Sequence, residues 1–128
     1  VKIVIMSIVF MLTACSMSMT SVNNIVVEGD KPTAEKEKIA SAVMEVVWNG
    51  SLKDDIRSEY PNITPEELET SLGMKWSTTT FQSIVDEEKT PKDVVRISCI
   101  FKSKDIDVAN KITSLCAKKI ENELSKYY

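Results

Sequence analysis

Three spacings of apolar residues follow one another along this chain. From Ile3 to Leu12 nine of ten residues are apolar, with Ser7 the exception. That run is too short to cross a bilayer as a helix, which takes about 20 residues. Past Thr33 the spacing becomes helical: Ile39, Val43, Val46 and Val47 fall on one face, with Lys36, Lys38 and Glu45 among the polar positions. Thr33 is placed to cap this helix, which runs to about Trp48, and Asn49-Gly50 ends it. Ser51 opens a second, short helix to about Glu59, with Leu52, Ile56 and Tyr60 on its apolar side and Pro61 as its stop. Thr64-Pro65-Glu66-Glu67 signals a third start, with Thr64 as cap and Pro65 at the first helical position. Gly73 keeps that helix short.

Beyond Gly73 the period changes to two. Trp76-Ser77-Thr78-Thr79-Thr80-Phe81-Gln82 is rich in β-branched and aromatic residues and favours strand. Asp86 to Pro91 is a polar turn. Val95, Ile97, Cys99 and Phe101 share one face of a second strand, and Arg96, Ser98 and Lys102 most of the other. Two strands joined by a short polar loop predict an antiparallel hairpin. From Asp105 to Lys126 helical spacing returns, with Val108, Ile112, Leu115, Cys116, Ile120 and Leu124 as the buried stripe. Ile25-Val26-Val27 offers a third strand or a continued tether. The order predicts a single α+β domain, its hairpin packed on the long C-terminal helix with short helices before it.

The N-terminal run has a further meaning. Lys2 precedes it, and the small residues Thr13 and Ala14 lead from it to Cys15. A charged start, an apolar stretch and a small-residue end are the layout of a secretory signal. Leu12-Thr13-Ala14-Cys15 resembles the lipobox of bacterial lipoproteins. The resemblance covers this segment alone. It implies diacylglycerol on the Cys15 sulfur, cleavage before Cys15 and acylation of the new amino group. Ser16, rather than Asp, after that cysteine implies export to the outer membrane, facing the periplasm. The expected division is a signal peptide over 1–14, a lipidated tether over 15–23 and a periplasmic domain over 24–128.

Lipidation also settles the parity of the cysteines. Of the three, Cys15 is consumed, leaving Cys99 and Cys116, both on inward faces. A disulfide between them closes a loop of about 17 residues, worth roughly 3 kcal/mol by chain entropy. Two reduced core cysteines are the alternative, and an oxidising compartment favours the bridge.

The chain has 128 residues, room for one domain, and no histidine. That removes histidine acid–base chemistry and the usual nucleophilic triads. Two cysteines without histidine do not complete a zinc site. Sixteen basic against nineteen acidic residues give a net charge of −3, and loss of Lys2 with the leader makes the remainder more acidic still. Such a domain has no electrostatic reason to bind nucleic acid. No glycine-rich phosphate loop or nucleophile elbow is present. The acidic pairs Asp54-Asp55 and Glu66-Glu67 do not face each other on a helix, and Asp86-Glu87-Glu88 is explained as a solvated turn. No catalytic residue, metal site, cofactor or small-molecule substrate is expected.

The segment Lys75–Ser83 carries four successive hydroxyl residues flanked by Trp76 and Phe81. Its poorly separated faces suit a sheet edge, and an edge is a template for a partner's strand. Trp76, Thr78, Thr80 and Phe81 are therefore the expected partner-binding residues. The function expected is a non-enzymatic binding or assembly factor of the cell envelope, similar in build to pilotins and accessory subunits of secretion machines. The alternative is a periplasmic inhibitor or immunity lipoprotein.

Overall fold

In the computed structural model the hairpin strands lie within a four-stranded antiparallel sheet of order β1-β2-β4-β3. The structure describes residues 3–11, 18–82 and 91–128; Cys15 and the acidic turn at 86–88 lie outside the described residues. The strands are β1 (Ile3–Met11), β2 (Met19–Val27), β3 (Leu72–Gln82) and β4 (Pro91–Ser103). The helices are α1 (Thr33–Asn49), α2 (Leu52–Glu59), α3 (Pro65–Ser71) and α4 (Ile106–Leu124), followed by a 3-10 turn over Ser125–Tyr127. The fold is α+β, with β2, β4 and β3 carrying α1 and α4 on one face and the long α4 at the C-terminal end.

The alternation read in the sequence decides which face is covered. Val95, Ile97, Cys99 and Phe101 of β4 are buried with Ile25 and Val27 of β2 and Leu72 of β3. They form one core with Ile39, Ala40, Val43 and Val47 of α1 and with Ile112, Cys116, Ile120 and Leu124 of α4. Leu52 and Ile56 of α2 and Leu68 of α3 join the same core. Each large side chain buried this way contributes about 1.5–3 kcal/mol. Val46, assigned to the apolar face of the first helix, is half exposed; the stripe passes through Ile39, Ala40, Val43 and Val47 instead. On α4 the buried stripe includes Ala109, Thr113 and Ala117, while Val108 and Leu115 are only half-buried.

Side-chain caps open α3 and α4, the first as expected, whereas the expected cap of α1 is displaced. Thr64 Oγ1 accepts from the Glu67 backbone N–H at 3.1 Å, with Pro65 beginning the helix. Asp105 Oδ1 accepts from the N–H groups of Asp107 and Val108. Thr33, by contrast, is the first residue of α1 rather than its cap: Pro32 occupies the cap position and supplies no side-chain acceptor.

The N-terminal half of β2 was expected to be tether. It is an inner strand instead, beginning at Met19, so the residues between Cys15 and the sheet shrink to Ser16–Ser18. Its helix-facing positions Ser21 and Asn23 are polar, which hides the alternation, yet both are buried. α4 satisfies them. Ser21 Oγ donates to Asn110 Oδ1 at 2.6 Å and lies 2.9 Å from Thr113 Oγ1, and Asn23 Nδ2 donates to Thr113 Oγ1 at 2.7 Å. On the opposite face Ser98 Oγ donates to Asn24 Oδ1 at 2.6 Å. The backbone of the apolar N-terminal segment, β1, runs antiparallel to β2 from Ile3 opposite Val27 to Met11 opposite Met19.

Candidate functional site: the β3 edge and the groove beside α1

Among the described residues β3 closes one side of the sheet, and one row of its backbone N–H and C=O groups has no neighbouring strand there. Its inner side is fixed by β4, with Leu72 opposite Phe101, Met74 opposite Cys99 and Trp76 opposite Ile97. Burial falls along the helix-facing positions: Leu72 is buried, Met74 half-buried, and Trp76 is 38% exposed.

The other wall is α1. Beside its core stripe runs a second one, Glu37, Ser41, Met44 and Trp48, at spacings of four, three and four residues, which places them on one face. At one end Thr78 Oγ1 donates to Glu37 Oε2 at 2.6 Å and ties strand to helix. At the other a cleft of about 390 Å³ opens between Ser41, Met44 and Trp48 on the helix and Gly73 and Met74 on the strand, with Glu45 at its rim. That volume is within the range that holds a bulky side chain or small ligand. Trp48 is braced from outside: the Lys53 ammonium sits 4.2 Å from its ring centroid, and Lys53 is paired with Glu69 at 2.7 Å. A larger hollow of about 690 Å³ along Glu59, Tyr60, Lys111 and Ser114 is shallow, open to solvent and borders no unpaired strand.

The residues singled out in the sequence divide here. Trp76 stands exposed on the edge strand. Thr78 and Thr80 lie on the same strand, but their hydroxyls are engaged internally, Thr78 with Glu37 and Thr80 with Asp93 Oδ1 at 2.6 Å. Their contribution to an edge site is therefore through the backbone. Phe81 occupies β3 opposite Lys92; its side chain lies outside the described residues, as does Cys15. Met44, Trp48, Gly73 and Met74 are additions that only the packing of α1 on β3 brings together. Their one sequence signal is that Met44 and Trp48, four apart, are large apolar residues lying beside the core stripe rather than on it.

Cys99 and Cys116 meet in the core, each fully buried and each a free thiol. Hydrogen bonding with the Cys116 thiol, and then burial, push the Cys99 thiol far above its ordinary value. Among the described residues no group of three or more His, Cys, Asp or Glu side chains is placed to hold a metal ion, and no helix is long and apolar enough to cross a membrane. Comparisons with protein-family models, with curated proteins and with solved structures give no match.

Proposed function

We propose that the chain is a bacterial lipoprotein, fastened by acyl groups on Cys15 to the periplasmic side of the outer membrane, that acts without catalysis as a binding and assembly factor. It captures an extended segment of a protein partner along β3. Cleavage before Cys15 takes β1 away and opens the outer side of β2 as a second edge. The partner strand adds to the β3 edge, which has the cleft beside it, through backbone hydrogen bonds, and one bulky apolar side chain of that segment enters that cleft between α1 and β3. Glu45 at the rim favours a basic residue beside it. The observation that carries this reading is the unpaired β3 edge with an apolar cleft at its side. The anchor rests on Leu12-Thr13-Ala14-Cys15 and the apolar run before it.

The test is site-specific photocrosslinking in living cells, with the reactive residue at position 76 and, as a control, at the exposed Lys118 on α4. One partner is expected from position 76 alone. Its capture should fall at least tenfold in Trp48→Ala/Met74→Ala protein that keeps its circular dichroism. Equal adducts from both positions, or capture unchanged by the double substitution, would overturn the groove. Cys15→Ser tests the anchor separately: the chain should remain uncleaved and gain no acyl mass. A captured enzyme whose lytic activity is silenced in a one-to-one complex would make the chain an inhibitor rather than an assembly factor.

A further inference from the structure

We propose that Cys99 and Cys116 are a disulfide site, joined by thiol–disulfide exchange before α4 settles onto the sheet. Cys99 lies in mid-strand on the helix-facing side of β4, between Ile97 and Phe101, and Cys116 lies on the buried stripe of α4. The two elements are consecutive and joined by a short turn around Lys104 and Asp105. The pair can therefore meet as soon as this one strand–helix unit forms, with a loop of about 17 residues to close.

The order of events follows from burial. Thiol–disulfide exchange needs a thiolate and a path for the oxidant. In the folded domain both sulfurs are sealed from solvent, and the proton on Cys99 is held firmly by Cys116 and by its apolar surroundings. The folded dithiol is thus a poor nucleophile, and the reaction belongs to the chain before the core closes. There one cysteine thiolate attacks a sulfur of a disulfide oxidant, forming a mixed disulfide and releasing one oxidant thiolate. The second cysteine thiolate then attacks the protein sulfur of that mixed disulfide. The Cys99–Cys116 bond forms and the second oxidant thiolate leaves. The two protein thiols lose two electrons and two protons, and the oxidant becomes two thiols. The site itself stands on the core geometry; that cells supply the oxidant rests on the export reading above.

The test uses the full chain, purified reduced. One portion is unfolded and refolded with oxidised glutathione; another receives the same oxidant while folded. Both are quenched with an alkylating agent in denaturant and digested with trypsin without reductant. Refolded protein should yield the Ile97–Lys102 and Ile112–Lys118 peptides as one linked species, two hydrogens lighter than their sum. The folded portion should form it at least ten times more slowly. Separate alkylated or glutathione-bearing peptides after refolding would overturn the bridge, and equal rates would overturn the order. The same digest of membrane-derived protein examines the compartment: free thiols there, beside a linked species from refolding, would overturn export and leave the site standing.

Discussion

Thr113 sits where α4 meets β2, its hydroxyl donating to the Asn110 carbonyl at 3.1 Å while receiving Asn23 Nδ2 and lying against Ser21 Oγ. A buried polar group stripped of its partner costs about 1–3 kcal/mol, whereas a satisfied one is close to neutral. Thr113→Val keeps the shape and removes the acceptor, so the substitution should destabilise the domain by about that amount, read as a lowered urea midpoint with an unchanged slope. Restoring the balance by also making Asn23→Leu should recover part of the loss. A second residue-scale expectation concerns charge. Lys119 Nζ lies 2.5 Å from Asp55 Oδ2. The hydrogen bond from Lys119, helped by its charge and by Ser51 and opposed by a little burial, holds the Asp55 carboxyl below its usual range. A carboxyl whose folded value is lowered stabilises the fold above its unfolded value and loses that contribution as pH falls through the folded one. In an NMR titration Asp55 should therefore ionise at lower pH than a free aspartate, and Lys119→Ala should return its midpoint to the ordinary range. The exposed setting makes this a local effect rather than a large share of stability.

At the scale of elements, what the sequence made legible depended on whether local chemistry and tertiary role agreed. β4 and α4 were readable because their inward positions are apolar at the right period, β3 because its residues are β-branched and aromatic although its faces are poorly separated, and α3 because Thr64 precedes Pro65. In Pro32-Thr33 the same two residue types stand in the opposite order, so proline takes the cap position and threonine the first turn. β2 was concealed because Ser21 and Asn23, which face the helices, are polar; only their partners on α4 reveal them as interior. The groove was half legible for a related reason. Trp76 on an edge strand can be suspected from its hydroxyl-rich neighbours, but Met44 and Trp48 acquire a role only when α1 is laid beside β3. The cap of α4 gives the element-scale prediction. Asp105→Ala leaves the N–H groups of Asp107 and Val108 without their acceptor and should cost about 1 kcal/mol, measured by chemical denaturation. Because α4 also brings Cys116 to Cys99, the same substitution should slow bridge formation during refolding more than Thr64→Ala, which loosens only the short α3.

For the whole molecule the early start of β2 changes how the domain stands on a membrane. On the lipoprotein reading the acyl chains sit on Cys15, and β2 begins at Met19. Four residues of chain reach at most about 14 Å, too little for a freely swinging head. The end of the sheet where Met19 lies opposite Ser103 must then stay near the bilayer. The opposite end, where Val27 lies opposite Val95, is eight residues further along the strand, or about 27 Å. The cleft at Gly73 and Met74 lies toward the near end, because Leu72 is opposite Phe101 and so only two residues from Ser103 on β4. A partner segment would thus be held close to the lipid surface. Lipidated protein in vesicles carrying a paramagnetic label at the headgroups tests this geometry. Amide signals of Met19, Thr20 and Lys102 to Lys104 should be attenuated most and those of Val27 and Val95 least. A twenty-residue glycine–serine insertion after Ser16 should flatten that gradient, since a flexible linker of that length spans roughly 25 Å on average. Uniform attenuation without the insertion would mean that the head is not held by this end, and would remove the reason for placing the β3 cleft beside the membrane.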